Sequence, residues 1–155
     1  MSKDDTDTPL AEPADNTPTV SYRLDENVGF ILRKASQRHT SIFSERMGHK
    51  LTATQFAAFA KLCEHGAVSQ NRLGRLTAMD AATIKGVIDR LREKGIADTR
   101  PDPGDRRRLM VELTDHGQQI TDEVLQAATQ ITEDTLAPLS AAERRAFLAS
   151  LDKIS

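Results

Sequence analysis

Three consecutive arginines, Arg106, Arg107 and Arg108, follow the turn-forming segment PDPGD at residues 101–105. A guanidinium keeps its charge at any physiological pH and presents its donors in a fork that matches phosphate oxygens. Asp105 stands two residues before Arg107, and on a tight turn its carboxylate can pair with that arginine and orient it. The pattern favours an anion-binding turn, and a solvated, charged loop is the alternative.

Charge is unevenly distributed along this chain of 155 residues, whose formal net charge is −2. Residues 1–20 carry one lysine and five acidic residues, whereas residues 69–108 carry ten Lys or Arg and six acidic residues. The first segment is rich in Pro, Thr and Asp, and we expect it to be a disordered acidic tail. The basic middle of the chain favours a polyanionic partner.

The composition argues against several classes of protein. No apolar run approaches the roughly 18 residues that a membrane span requires, and the acidic start lacks the apolar segment of a secretory signal. A single cysteine, Cys63, has no partner for an internal disulfide. We therefore expect a cytoplasmic protein without a membrane partner.

The apolar period indicates a mainly helical chain. The segments TATQ, residues 52–55, and SAAE, residues 140–143, are capping boxes that start two helices. Two short apolar segments flank the arginine-bearing turn and predict a β-hairpin. In full, the pattern predicts helices at residues 24–48, 52–66, 69–79, 80–95, 114–138 and 140–154, and strands at residues 96–100 and 109–113.

The middle of this series has the pattern of a winged helix-turn-helix, in which a short helix, a tight turn and a second helix precede the hairpin. The second helix has a narrow apolar stripe and an opposite face of small or polar residues, which suits the DNA major groove. An arginine suits the narrow, electronegative minor groove, so Arg107 is the candidate there, and its two neighbours are candidates for phosphate contacts. The candidate DNA-binding residues are Ser69, Gln70, Asn71, Ala81, Ala82, Thr83, Lys85, Arg90, Asp105, Arg106, Arg107 and Arg108.

The segment RPDPGDRRRLMVELTDHG, residues 100–117, resembles the wing signature of MarR-type transcription regulators. Asp105 and Arg107 match the Asp-x-Arg of that signature, and Leu113, Thr114 and Gly117 match its Leu-Thr-x-x-Gly. Residues 78–100 resemble the recognition helix and first wing strand of the family, except that Gly86 stands where a second polar residue is common. The resemblance covers residues 24–154.

The resemblance implies a mainly α fold with six helices and a small β-wing. Residues 21–50 and 114–155 would form a helical dimerisation region, and residues 51–113 the winged DNA-binding lobe. It also implies a homodimer that binds a pseudo-palindromic operator in double-stranded DNA, as a repressor that a small, often aromatic, ligand releases. The helices at the two ends of the chain are longer than a DNA-reading lobe needs, which agrees with a dimer seam.

A candidate effector site follows from the first long helix. The segment YRLDENVGFILRKASQRHTSIF, residues 22–43, is similar to the first helix of repressors of nicotinate breakdown, which implies a hydroxynicotinate-like aromatic acid. Arg38 could bind its carboxylate, His39 a ring nitrogen or hydroxyl, and Phe43 and Phe59 could enclose its ring. A histidine of the core or dimer seam is the alternative for His39.

Other classes of function have weaker support in the sequence. Cys63 lies on the apolar face of the second helix, which favours a core cysteine over an oxidant sensor. The histidines lack metal-ligand spacing, and no catalytic constellation stands out, so we expect neither a metal, a cofactor nor an enzyme. A winged-helix module that binds protein, and a regulator that responds to another phenolic or to an oxidant, are the alternative functions.

Overall fold

Helices make up most of the structure, which is a computed structural model that describes residues 22–155. The predicted acidic tail, residues 1–20, lies outside the described residues. The elements are, in chain order, a 3₁₀ turn Leu24–Glu26, α1 Val28–Arg46, α2 Ala53–His65, β1 Val68–Ser69, α3 Gln70–Leu76, α4 Ala81–Glu93, β2 Ala97–Pro101, β3 Leu109–Leu113, α5 Asp115–Gln119, α6 Thr121–Leu136 and α7 Ala141–Asp152. The predicted winged helix-turn-helix fold is confirmed, with helices from both ends of the chain added to it.

The capping residues and glycines found in the sequence start and end helices as predicted. Thr52 and Gln55 exchange their capping hydrogen bonds, each 3.3 Å long, at the start of α2. Ser140 starts α7 in the same way. Gly66 and Gly95 follow α2 and α4 with φ of 67° and 69°, a left-handed conformation that residues with a side chain rarely adopt.

One predicted helix is divided in two. The chain turns at Ile120, so that α5 and α6 replace the single helix expected from Thr114. Ile120 and Val124 are both buried in the core. Their spacing of four residues fits one continuous helix as well as a helix that begins after a turn at Ile120. Packing of the short α5 against the lobe therefore decides the break, which the apolar period does not reveal.

The predicted hairpin gains a third strand. Strands β2 and β3 pair antiparallel, with Ala97 opposite Leu113 and Pro101 opposite Leu109. The two-residue β1 pairs with the other edge of β3, with Val68 opposite Val111. The sheet order is β1-β3-β2, and β1 is too short to show a strand period in the sequence.

The core lies where α2, α3, α4 and the sheet meet, and it continues between α1 and α6. Its largest fully buried side chains are Phe59, Leu62, Leu73, Ile84, Ile88, Leu91, Ile96, Val68, Val111 and Val124. No helix within residues 22–155 is both long and apolar enough to span a membrane.

An exposed apolar surface remains on α1 and α7 of the single chain. We call it the α1–α7 apolar face. It comprises Val28, Ile31 and Leu32 of α1, Phe147 and Leu148 of α7, and Ile154, which follows α7, and these side chains are 41–68% exposed. A shallow depression of about 420 Å³ beside it is lined by Leu32, Ala35, Leu136, Phe147, Leu148 and Leu151, among others. Exposed apolar patches of this kind usually mark an interface.

Candidate DNA-binding surface and effector cleft

Helix α4 has the two faces that a groove-reading helix needs. Ile84, Val87, Ile88 and Leu91 are buried against the lobe. On the opposite face, Ala81, Ala82, Thr83, Lys85, Gly86 and Arg90 are exposed. Asp80 caps the helix by accepting a hydrogen bond of 2.7 Å from the Thr83 amide, and this bond is the main cause of a lowered pKa at Asp80.

The turn between α3 and α4 depends on a close approach at Gly74. A Cβ there would lie 3.0 Å from the Met79 carbonyl oxygen and 3.2 Å from Ile84 Cγ2. Ala78 occupies the left-handed region with φ of 53°, and Thr77 Oγ1 donates to the Leu73 carbonyl at 2.7 Å. These contacts hold α4 at a fixed angle to α3.

The cations of α4 are paired within the free protein. Lys85 Nζ lies 2.8 Å from Asp89 Oδ2, and Arg90 Nη1 lies 2.8 Å from Glu93 Oε2. The bond from Lys85 is the main cause of a lowered pKa at Asp89. All four side chains are substantially exposed, so a phosphate can replace either carboxylate partner at little cost.

The wing tip is shaped by two aspartates. Asp102 accepts from the Gly104 amide at 2.9 Å, and Asp105 accepts from the Arg107 amide at 3.0 Å. Asp105 therefore orders the backbone of the turn, where the sequence suggested a pair with the Arg107 guanidinium. Arg108 Nη1 lies 3.5 Å from Asp102 Oδ2.

Arg106 and Arg107 are exposed, and neither forms an ion pair with another residue of the described chain. Two uncompensated guanidinium groups thus project from the wing, which is a suitable arrangement for an anionic partner.

A polar cleft of about 450 Å³ connects the wing to α3. It is lined by Ser69, Gln70, Asn71, Arg72, Arg75, Arg107, Arg108 and Leu109. The fold thus brings the predicted start of α3 together with two predicted wing arginines. It adds Arg72 and Arg75, which were not among the residues predicted from the sequence, although their spacing of three residues places them on one helix face.

His39 links α1 to the end of α6. Its Nδ1 lies 3.0 Å from Thr135 Oγ1, and its ring centroid lies 6.2 Å from that of Phe43. The side chain is exposed in the single chain, so the fold does not bury it in the core of this chain. Three surface depressions share it as a lining residue.

Arg38 faces the same end of α6. Its guanidinium donates to the main-chain carbonyls of Thr135 and Asp134, the latter at 2.9 Å. Arg46 forms an ion pair with the Asp134 carboxylate. Arg38 is therefore engaged with the C-terminal carbonyls of a helix, an electrostatically favourable place for a cation.

Two adjoining depressions beside His39 form what we call the effector cleft. One, of about 580 Å³, lies between α1, α2 and α6, and the other, of about 500 Å³, lies against the segment that joins α1 to α2. Both are lined by His39, Phe43 and Ala53. The first also includes Phe56, Ala60, Leu125, Ala128 and Thr132, and the second includes Thr40, Met47, Lys50, Leu51 and Thr52.

The aromatic rings of this cleft belong to Phe43 and Phe56, whose centroids lie 6.1 Å apart in an edge-to-face arrangement. Phe59 lies in the core with no exposed surface. Phe56 and Phe59 are one helical turn apart on α2, and the sequence pattern does not distinguish which of the two faces α1.

Cys63 is half-buried, with Sγ 3.8 Å from Thr121 Oγ1. Burial is the main cause of its raised pKa, so the thiol is held in its less reactive, protonated form. Within residues 22–155, no cluster of three or more His, Cys, Asp or Glu side chains is arranged to hold a metal ion.

Comparisons with known proteins agree with this architecture. Residues 49–108 match a family model, MarR_2, that describes the MarR family. The chain is 44% identical to the HTH-type transcriptional repressor NicR of Pseudomonas putida over 148 aligned residues. The alignment covers 95% of this chain and 92% of NicR.

Two solved structures share the fold closely. A probable transcriptional regulator from Pseudomonas aeruginosa is 47% identical, with a TM-score of 0.83 over 86% of this chain and 100% of that one. BpsR from Bordetella bronchiseptica, whose DNA binding is regulated by 6-hydroxynicotinic acid, is 40% identical, with a TM-score of 0.80 over 86% of this chain and 96% of that one. By sequence and by fold, the chain belongs to the MarR family of winged-helix transcriptional regulators.

Proposed function

We propose that this protein is a ligand-responsive transcriptional repressor that binds a pseudo-palindromic operator as a homodimer and that a hydroxynicotinate-like aromatic acid releases. The observation that carries the proposal is the meeting of His39, Phe43 and Phe56 at a cleft between α1, α2 and α6, in a chain 44% identical to the repressor NicR.

Operator binding follows from the exposed face of α4 and from the wing. Small residues at the start of α4 let the helix approach base edges closely, and Thr83 and Lys85 can reach bases or phosphates. Arg107 enters the minor groove, because its guanidinium is exposed and has no carboxylate partner in the part of the chain described. Arg106 and Arg108 bind phosphates, and Ser69, Gln70 and Asn71 line the same polar cleft as the wing.

A second copy of the chain covers the α1–α7 apolar face. Phe147 and Leu148 on α7 and Leu32 on α1 are each more than 40% exposed in the single chain, which leaves large apolar side chains in water unless a partner buries them. Two-fold symmetry then presents two α4 helices to half-sites about one helical turn of DNA apart.

The effector cleft suits a flat aromatic acid. Phe56 offers apolar ring surface beside the largely buried Phe43, and the His39 ring offers a hydrogen-bonding nitrogen, Nε2, that Thr135 does not use. Arg38 lines neither depression, so it binds the ligand carboxylate only by leaving the Asp134 and Thr135 carbonyls, which ties ligand binding to the end of α6. The regulation of BpsR by 6-hydroxynicotinic acid supports this ligand class.

The alternatives have less support. An oxidant signal needs a reactive thiolate, whereas burial raises the pKa of Cys63. A winged-helix module that binds only protein gives no role to the uncompensated guanidinium groups of Arg106 and Arg107.

Fluorescence anisotropy with DNA from the protein's own promoter region tests the proposal. We expect a preference over scrambled DNA of the same composition, and a steep loss of affinity with salt, because each neutralised phosphate contributes about −0.9 to the slope of log K against log salt. Added 6-hydroxynicotinic acid should release the DNA, and benzamide, a flat ring without the carboxylate, should not. Binding without sequence preference would exclude an operator-specific repressor.

A further inference from the structure

Lys94 connects the recognition helix to the segment that joins α1 to α2. It follows the last residue of α4, and its Nζ donates to the main-chain carbonyls of Lys50 at 3.1 Å and His49 at 3.4 Å. Its ammonium forms no ion pair with a carboxylate in residues 22–155. An ammonium group that donates hydrogen bonds to two carbonyls of one loop tethers the end of α4 to that loop.

The tethered segment, residues 47–52, has an unusual backbone. His49 and Lys50 both have positive φ, 56° and 51°, although neither is glycine. Such conformations persist only where surrounding contacts maintain them, and they concentrate at switch regions. Lys94 provides one of these contacts, and Glu123 of α6 provides another, with Oε2 3.1 Å from His49 Nε2 in a close contact that lacks hydrogen-bond alignment.

The same segment forms one wall of the effector cleft. Met47, Lys50, Leu51 and Thr52 line the depression that also contains His39 and Phe43. Met47 and Leu51 are buried, so they anchor the two ends of the segment in the core. A ligand beside His39 thus contacts one side of a segment whose carbonyls hold the end of α4.

We propose that Lys94 is the positioning residue that couples occupation of the effector cleft to the orientation of α4. The inference rests on the proposed function, because it requires both an effector and an operator. A ligand that displaces residues 47–52 moves the two carbonyls, and the ammonium carries that movement to the C-terminal end of α4. The helix then meets the DNA at a changed angle, and operator affinity falls.

Thermodynamic coupling measures this role directly. The Kd of the operator is determined with and without saturating 6-hydroxynicotinic acid for the full-length wild type, for K94M, K94Q and K94R, and for K153M as a control. Lys153 follows α7 and does not line the effector cleft. We expect the ligand to raise the wild-type Kd at least about tenfold, a typical allosteric coupling.

In K94M and K94Q the ligand effect should fall to about twofold or less, because neither side chain supplies a charge to the carbonyls. K94R should keep most of the wild-type effect, and K153M all of it. Ligand affinity without DNA, measured by calorimetry, should change less than about threefold in every variant, since Lys94 lies outside the cleft lining.

Three results would overturn the proposal. A wild-type ligand effect in K94M or K94Q would remove Lys94 from the coupling. If the slope of log K against log salt concentration were smaller by about one in those variants, Lys94 would instead be a phosphate contact. Loss of ligand binding itself would make it part of the effector site. If the wild type does not respond to ligand at all, the proposed effector fails independently of Lys94.

Discussion

Gly117 lies so close to Ile96 that a Cβ on this glycine would stand 2.1 Å from the Ile96 carbonyl oxygen. The same carbonyl accepts the Thr114 amide at 3.0 Å, and Thr114 Oγ1 accepts the Gly117 amide at 3.0 Å. The Leu-Thr-x-x-Gly segment therefore packs the first turn of α5 directly on Ile96, which lies between the end of α4 and the start of β2. This contact explains why the last position of the motif is a glycine.

Gly117→Ala should destabilise the protein by about 2–3 kcal/mol, because a methyl group at this site forces the backbone of α5 away from Ile96. Urea denaturation followed by circular dichroism measures the change. Gly86→Ala is the matched control: its Cβ meets nothing within 4 Å in α4, so it should stabilise the helix by up to about 1 kcal/mol. Equal stability of Gly117→Ala and wild type would contradict the close approach.

Arg107→Ala should weaken operator binding by about 1–3 kcal/mol and leave the fold intact, since the side chain is exposed and unpaired with any carboxylate among the described residues. Anisotropy titrations at several salt concentrations measure both affinity and slope. Arg145→Ala, which removes a cation from exposed α7, is the control and should bind as the wild type does. Unchanged binding by Arg107→Ala would remove the wing tip from operator recognition.

His39→Ala should weaken the binding of 6-hydroxynicotinic acid at least about tenfold, a loss of roughly 1.4 kcal/mol that corresponds to one hydrogen bond. The ligand-induced rise in melting temperature and the release of DNA should both decrease. Gln126→Ala, at an exposed position of α6 and outside the cleft lining, should behave as the wild type. An undiminished ligand response in His39→Ala would limit this residue to its contact with Thr135.

Leu148→Glu should convert the dimer to a monomer, because it places a charge in the α1–α7 apolar face that a second copy would bury. Sedimentation velocity measures the oligomeric state. Leu109→Glu is the control: this leucine is similarly exposed but lies on the wing, and its change should leave the mass unaltered. A Leu148→Glu protein of unchanged mass would place the dimer seam elsewhere.

The Asp80 cap should make part of the stability depend on pH. The Thr83 amide lowers the pKa of Asp80 in the folded protein, so the unfolded chain binds the proton more tightly. This contribution is complete above the unfolded pKa, about 3.9, and is lost as the pH falls through the lower folded value. The melting-temperature advantage of wild type over Asp80→Asn should therefore shrink from pH 6 towards pH 3. A constant difference would contradict it.

Local chemistry made much of the fold predictable. Thr52, Asp80 and Ser140 start helices because their side chains bond amides three residues away. The polar face of α4 and the turn of the wing likewise depend on neighbours within a few residues. These interactions join residues that are close in the sequence. For this reason the sequence alone predicted the helix-turn-helix, the hairpin and the family they resemble.

Contacts between distant segments were decided only by the tertiary structure. Arg38 meets carbonyls 96 and 97 residues away, and Phe56 faces Phe43 while Phe59 enters the core. The turn at Ile120 and the joining of Arg72 and Arg75 to the wing arginines arise in the same way. A helical period shows which side chains share a face, whereas the partner of that face depends on how whole elements pack.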